Sequence, residues 1–442
     1  MIASGEITTI LKRCGFRCAR RSTPFHDGRS EHTPVRLRSQ CLSLLVSLWI
    51  PAVTSAERPL TTEELVLRAK PAVVLVTTRV SAEVIVNCGR GGTIIVTPPP
   101  YVETGTAWFV DGRGYLITNA HVVDPAYRPL PWVTEELKRR ALGRACTGEP
   151  GPPGSGRMHG QHRQTQIRNR INAVSLGMTR DPHVYVQLSN GAVLSAEIVK
   201  VSLPLLLHAS GKPTSDSGRD LALLRVKGGA YPALGLADAR LKIGQPVHIV
   251  GFPGVVLNDQ LLSQSARLEA SVTTGSVSGF KQNAIGQNLI QTDASAAPGH
   301  SGGPAMGPRG GVAGVLTAIS LSETDGGLIQ GFNFLIPARD INEFLQGTEV
   351  VQPGESCFSS IWEDGLRELR SERFKRASAL FAEADRLLPG LVDVKRALTE
   401  ADDGLKHRSA QRHLWSWIVA EISVPGAGGW GVPWYQRRRE SC

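Results

Sequence analysis

Three side chains in this sequence have the types and settings needed to make an alcohol nucleophilic. Ser301 lies in Gly299-His300-Ser301-Gly302-Gly303-Pro304, His121 in Thr118-Asn119-Ala120-His121-Val122-Val123, and Asp220 in Arg219-Asp220-Leu221-Ala222-Leu223-Leu224. A serine hydroxyl attacks a carbonyl poorly at neutral pH unless a neutral imidazole takes its proton. A carboxylate behind that imidazole fixes its tautomer and stabilises the imidazolium that forms. These residues fit acyl transfer, with Ser301 as nucleophile, His121 as general base and then acid, and Asp220 as orienting group. The glycines around Ser301 allow backbone angles that side chains resist. The N–H groups of Gly299 and Ser301 can then converge as an oxyanion hole, where losing one donor typically costs about 3–4 kcal/mol of transition-state stabilisation. A lone Gly-x-Ser-x-Gly is a weak signal; three signatures in order are a strong one.

Strands must carry these groups. Apolar runs at 72–77, 84–86 and 93–96 read as strands. Asp111-Gly112 marks a hairpin between 107–110 and 115–118, and Asn190-Gly191 marks another between 183–188 and 192–201. Many short strands with glycine-rich turns predict paired all-β barrels.

The order His, Asp, Ser is that of chymotrypsin-type enzymes, and the sequence resembles the trypsin-like serine proteases, more narrowly the bacterial HtrA/Deg type. The opening segment 64–74, the hairpin segments 104–110 and 114–119, the active-site run 292–304 and the closing strand 331–337 carry the resemblance, which spans about Leu60 to Phe344. It implies two six-stranded antiparallel β-barrels, with His121 and Asp220 from the first and Ser301 from the second meeting at the cleft. It also implies a serine endopeptidase acting on unfolded or flexible proteins in quality control, with no metal or organic cofactor. Ser295, Ala296 and Ala297 would line the pocket for the side chain before the cut. They are small and uncharged, so a preference for small or medium aliphatic residues is expected. The chain departs from the pattern at His300, where trypsin has aspartate and HtrA proteins usually asparagine. It also has a long gap between His121 and Asp220, no Ile-Val-Gly-Gly start and no following PDZ-like domain.

The net charge of +10 is unevenly placed: the first 40 residues hold eight Lys/Arg against three Asp/Glu, and Lys138 to Arg180 holds nine against one. No basic patch is interleaved with stacking aromatics, so a nucleic-acid partner is not indicated. None of the seven cysteines has metal-type spacing. Cys88, Cys146, Cys357 and Cys442 would remain in a processed chain, and their three possible pairings stay open. The Gly-, Pro- and Gln-rich stretch from Ala141 to Gly177 cannot bury enough apolar surface to offset ordering, so 138–180 is expected to be a flexible basic insertion.

Residues 1–56 read as an N-terminal extension and secretory signal peptide: Arg36 and Arg38, the apolar run from Cys41 to Ile50, then Thr54-Ser55-Ala56 for cleavage. An exported, periplasmic or extracellular protease domain follows at 57–346. A helical, tetratricopeptide-like segment at 347–410 has Gly365, Ala377, Phe381, Ala384 and Pro389 at that repeat's small, aromatic and proline positions. A single repeat cannot bury its own face, so these helices are expected to pack on the protease or to mediate self-association into a homo-oligomer. The tail at 411–442 is rich in Trp and Gly, and its aromatics raise membrane association as an alternative. Competing readings are a catalytically silent chaperone or binding scaffold, and a membrane-tethered signalling protease.

Overall fold

A computed structural model of the chain describes residues 60–88, 92–146, 175–204, 214, 217–238, 240–321 and 328–422. The signal-peptide reading, the centre of the insertion and the end of the tail lie outside the described residues. The fold begins with α1 (Thr62–Ala69), whose start is closed reciprocally. Thr61 Oγ1 accepts from the Glu64 N–H at 3.2 Å, and Glu64 Oε2 accepts from the Thr61 N–H at 2.8 Å. Such a capping box satisfies two donors that a helix start leaves open. Pro71, in a 3-10 turn, then hands the chain to β1 (Val73–Asn87).

The separate strands expected at 72–77 and 84–86 are one strand. Alternation continues between them: Val80, Ala82, Val84 and Val86 are buried while Arg79, Glu83 and Ile85 face outward. That length lets β1 pair with three partners, namely β2 (Thr93–Val96), β3 (Tyr101–Asp111) and β5 (Ser175–Gln187). With β4 (Tyr115–Thr118), β6 (Val193–Ser202) and β7 (Leu221–Val226) the first sheet runs β1-β3-β4-β7-β6-β5 and closes on β1, β2 lying outside the ring. The second barrel comprises β8 (Pro246–Gly251), β9 (Ser271–Gln282), β10 (Asn288–Thr292), β11 (Pro304–Met306), β12 (Val312–Leu321) and β13 (Leu328–Pro337), in the ring order β8-β9-β10-β13-β12-β11. Two closed six-stranded antiparallel barrels are thus present, as expected. The Asn190-Gly191 turn forms too, with Asn190 Oδ1 accepting from the Ala192 N–H at 3.0 Å.

Helices fill the connections: α2 (Ala120–Tyr127), α3 (Pro131–Cys146), the single turns α4 (Gly254–Leu257) and α5 (Gln264–Arg267), and α6 (Ala338–Leu345). The insertion is therefore not flexible throughout 138–180. Val133, Leu137 and Ala141 recur at helical spacing and are fully buried against Val80, Ala82, Val84 and Val86 of β1, so α3 continues to Cys146, and β5 starts at Ser175. A Cys88–Cys146 disulfide joins two of the four cysteines and pins the end of α3 beside the end of β1.

Three helices follow the barrels: α7 (Cys357–Arg370), α8 (Phe374–Leu387) and α9 (Val392–Ile422). The sequence boundary between helical segment and tail falls inside α9, which runs past residue 410. Among the described residues no helix is long and apolar enough to cross a membrane. Gly365 of α7 lets Phe381 of α8 approach: a Cβ there would stand 2.5 Å from the ring. Phe358, Ile361, Trp362, Ala377, Phe381, Leu391 and Val394 share one buried cluster with Val74, Phe109, Leu116 and Tyr231 of the first barrel. Trp362 Nε1–H donates to the carbonyl of Leu67 at 2.9 Å. The helices pack on the protease-like barrel, one of the two expected roles.

Candidate active site

His121 and Asp220 come from neighbouring parts of the first barrel. Asn119 occupies the N-cap position of α2, and His121 follows as its second residue. Asp220 immediately precedes β7 and has a φ of 56°, a left-handed conformation uncommon for a side-chain-bearing residue. Three bonds hold it there. Asn119 Nδ2 donates to its carbonyl at 2.9 Å, the His121 N–H donates to Oδ1 at 2.9 Å, and Thr317 Oγ1 donates to Oδ2. His121 Nδ1 lies 2.8 Å from Asp220 Oδ2, so the carboxylate favours the tautomer with its proton on Nδ1 and leaves Nε2 free to accept. Burial works against an imidazolium here, but the charge and hydrogen bond of Asp220, with smaller help from Glu103 and Asp124, outweigh it and raise the His121 pKa above its ordinary value. The side chain of His121 remains 37% exposed and opens to solvent.

Ser301 sits between β10 and β11, in a loop that both barrels grip. The Thr106 N–H on β3 donates to the Ser301 carbonyl at 2.8 Å, and Thr106 Oγ1 donates to the Gly299 carbonyl at 2.7 Å. From the second barrel, Leu316 accepts from the Gly302 N–H at 2.9 Å and donates to the Gly303 carbonyl at 3.0 Å, while the Gly254 N–H donates to Pro298 at 2.7 Å. The glycines are demanded by space and angle together. Gly299 and Gly302 have φ of 98° and 86°, and added Cβ atoms would lie 2.3 Å from the Phe252 carbonyl oxygen and 2.1 Å from that of Thr106. His300 donates from its N–H to Ala297 at 3.0 Å, tightening the turn. Among the described residues, the N–H groups of Gly299 and Ser301 donate to nothing, as an oxyanion hole requires.

Neighbouring residues link the His121–Asp220 side of the site to the Ser301 loop. Gly105 is flanked by the side chain of Val122, next to His121, and by the Ser301 carbonyl: its added Cβ would lie 2.7 Å from one and 3.2 Å from the other. Thr317, bonded to Asp220, is adjacent in sequence to Leu316, which holds Gly302 and Gly303. Ser301 Oγ makes no hydrogen bond to His121; catalytic bonds are often long before substrate arrives.

Of the expected pocket residues, Ser295 is exposed, Ala296 buried and Ala297 half-buried. Asn333 of β13, buried in the second barrel, donates to the Ala294 carbonyl at 2.7 Å and braces that wall. Asp293 is turned away from it: its carboxylate accepts from the N–H and hydroxyl of Ser276, which hold its pKa below the usual range. Sequence reasoning missed Thr106 and the bond of Thr317 to Asp220. Thr106 lies inside the recognised segment 104–110 and Thr317 between recognised segments, but their roles arise only from pairing across the barrels.

Comparison with known proteins agrees with this geometry. Residues 105–315 match the family described as the trypsin-like peptidase domain. The serine endoprotease DegS of Haemophilus influenzae is 30% identical over 169 residues, 37% of this chain and 42% of its own length. A probable periplasmic serine endoprotease, DegP-like, of Hahella chejuensis is 32% identical over 178 residues, 38% and 35% of the two chains. The serine protease Do-like HtrA of Bacillus subtilis is 30% identical over 182 residues, 39% and 37% of the two. The chain thus spans less than half the length of these curated relatives. Among solved structures, the HtrA-type protease AlgW with tripeptide aligns over 66% of this chain and 65% of its own at 21% identity, with a TM-score of 0.36. Residues 105–315 are thus similar to trypsin-like peptidase domains, and the relatives named above are serine proteases of the DegS, DegP-like and HtrA kinds.

Proposed function

We propose that this protein is an exported serine endopeptidase working through Ser301, His121 and Asp220. The observation that carries the reading is the double hold of Asp220 on His121, through Nδ1 and through the backbone N–H, beside a serine loop fixed by both barrels. His121 Nε2 takes the Ser301 proton as Oγ attacks the peptide carbonyl, and Asp220 stabilises the imidazolium. The N–H groups of Gly299 and Ser301 receive the oxyanion, and His121 returns its proton to the leaving amine. Water then hydrolyses the acyl-enzyme by the same route in reverse. Ser295, Ala296 and Ala297 form the pocket, favouring small or medium aliphatic side chains. The Arg36-to-Ala56 signal pattern and the periplasmic naming of relatives support export, and quality control of unfolded or flexible proteins is the corresponding role.

Incubating the full chain with a fluorophosphonate tests this reading: labelling is expected in the wild type and absent in Ser301→Ala. The silent-scaffold reading draws support from the missing Ser301–His121 bond, and it requires that no labelling occur in any condition.

A further inference from the structure

We infer that His300 is an acid-sensitive latch on the loop that carries Ser301, a positioning residue that holds the turn only while its imidazole is uncharged. The inference rests on the peptidase reading and adds a regulator to the same site. His300 is 3% exposed, beside the nucleophile in the chain. Its Nδ1 accepts from the Ala297 N–H at 3.1 Å, while its own N–H donates to the Ala297 carbonyl at 3.0 Å, so one residue closes the turn twice. An accepting Nδ1 puts the neutral ring's proton on Nε2, which is buried without a partner.

Protonation would place a second N–H at Nδ1, directly against the Ala297 N–H. Two donors would face each other, and a charge would be left in a site that offers it no counterion. The ring lies beside Gly251 of β8: a Cβ added there would stand 3.1 Å from its Cδ2 and 2.8 Å from Thr106 Oγ1 of β3. None of these neighbours is charged. Burial holds the His300 pKa below its ordinary value and outweighs a smaller raising contribution from the Ala297 backbone, and no charged side chain contributes. His248, further along β8, is the other buried imidazole there and is engaged with Thr274 Oγ1 at 3.0 Å. The turn that His300 closes contains Gly299, and Ser301 follows it, so opening it would move both oxyanion donors.

Two acid-driven losses therefore act on turnover. Protonating His121 removes the base, and protonating His300 releases the loop. In the full chain, log(kcat/KM) for a peptide substrate, followed from pH 8 to pH 4, should fall with slope one and then slope two. His300→Asn, which keeps an acceptor for Ala297, should cleave with slope one throughout; His300→Leu, which keeps none, should be slower at every pH. A wild-type limb that stays at slope one, or an Asn variant that keeps slope two, overturns the latch.

Thermal unfolding gives a readout independent of activity. Unfolded histidine binds a proton near pH 6.5, and folded His300 resists it, so its contribution is complete above that pH and shrinks below it. The wild-type Tm should drop more than that of His300→Asn between pH 7 and pH 5, the contribution of His248 being common to both; parallel curves overturn the latch. If the wild type neither cleaves nor takes up the fluorophosphonate, the peptidase reading fails, and the Tm comparison alone decides the latch.

Discussion

Replacing Thr106 with valine keeps the shape of the side chain and deletes only its hydroxyl. That oxygen donates to the Gly299 carbonyl at 2.7 Å and accepts from the Phe252 N–H at 3.0 Å, in a residue with no solvent exposure. Both partners would remain buried and unpaired, at about 1–3 kcal/mol each, for a total of about 2–6 kcal/mol. At roughly 3 °C per kcal/mol, Tm should fall on the order of 10 °C. Turnover should suffer separately, because the carbonyl that fixes Gly299 is released. Complete loss of an oxyanion donor costs about 100- to 1000-fold in kcat, so a loosened donor should cost ~10- to 100-fold, with KM little changed. The assay is peptide hydrolysis well below the variant's Tm, with Thr106→Ser alongside. Serine restores the hydroxyl and should recover most of kcat. A valine variant that is less stable yet matches Thr106→Ser in kcat would refute the reasoning.

Three further outcomes are expected. Asp220→Asn should lower kcat about ten-thousandfold through the wrong His121 tautomer. In the wild type, activity should rise as pH climbs through the elevated His121 pKa, and removing the carboxylate charge should move that limb to lower pH, as a kcat/KM profile would record. Cys146→Ser should reduce stability by up to about 4 kcal/mol, the chain-entropy value for a loop with a sequence separation of 58, read from urea unfolding with and without reductant. Trp362→Ala should cost about 3–5 kcal/mol and lower a single transition shared by helices and barrel; separate melting of the helices would contradict the common core.

Much of this arrangement was legible in the sequence because it is locally encoded. The motifs around His121, Asp220 and Ser301 carry their own chemistry, Asn190-Gly191 forces its turn, and the apolar spacing of Phe374, Ala377, Phe381 and Ala384 marks a helix face. Elements whose stability comes from partners elsewhere were harder to see. The helix through 138–146 looks basic and loop-like by composition, and only β1 beneath Val133, Leu137 and Ala141 makes it a buried element. The long reach of β1 depends likewise on three pairing partners. The role of Thr317 was not visible at all, since its bond to Asp220 joins residues 97 positions apart.

The seam between α1 and α7 has a consequence for the order of assembly. Trp362 meets the carbonyl of Leu67 across 295 residues, and Arg370 meets Glu64 across 306. During synthesis the opening strands of the first barrel emerge long before the helices that seal their apolar surface. Closing so long a loop comes late, because its entropy must be met before distant contacts can reward it. The nascent first barrel therefore stays unsealed until residues beyond Cys357 have been made, and a truncated translation product would carry an exposed greasy flank in place of a finished enzyme.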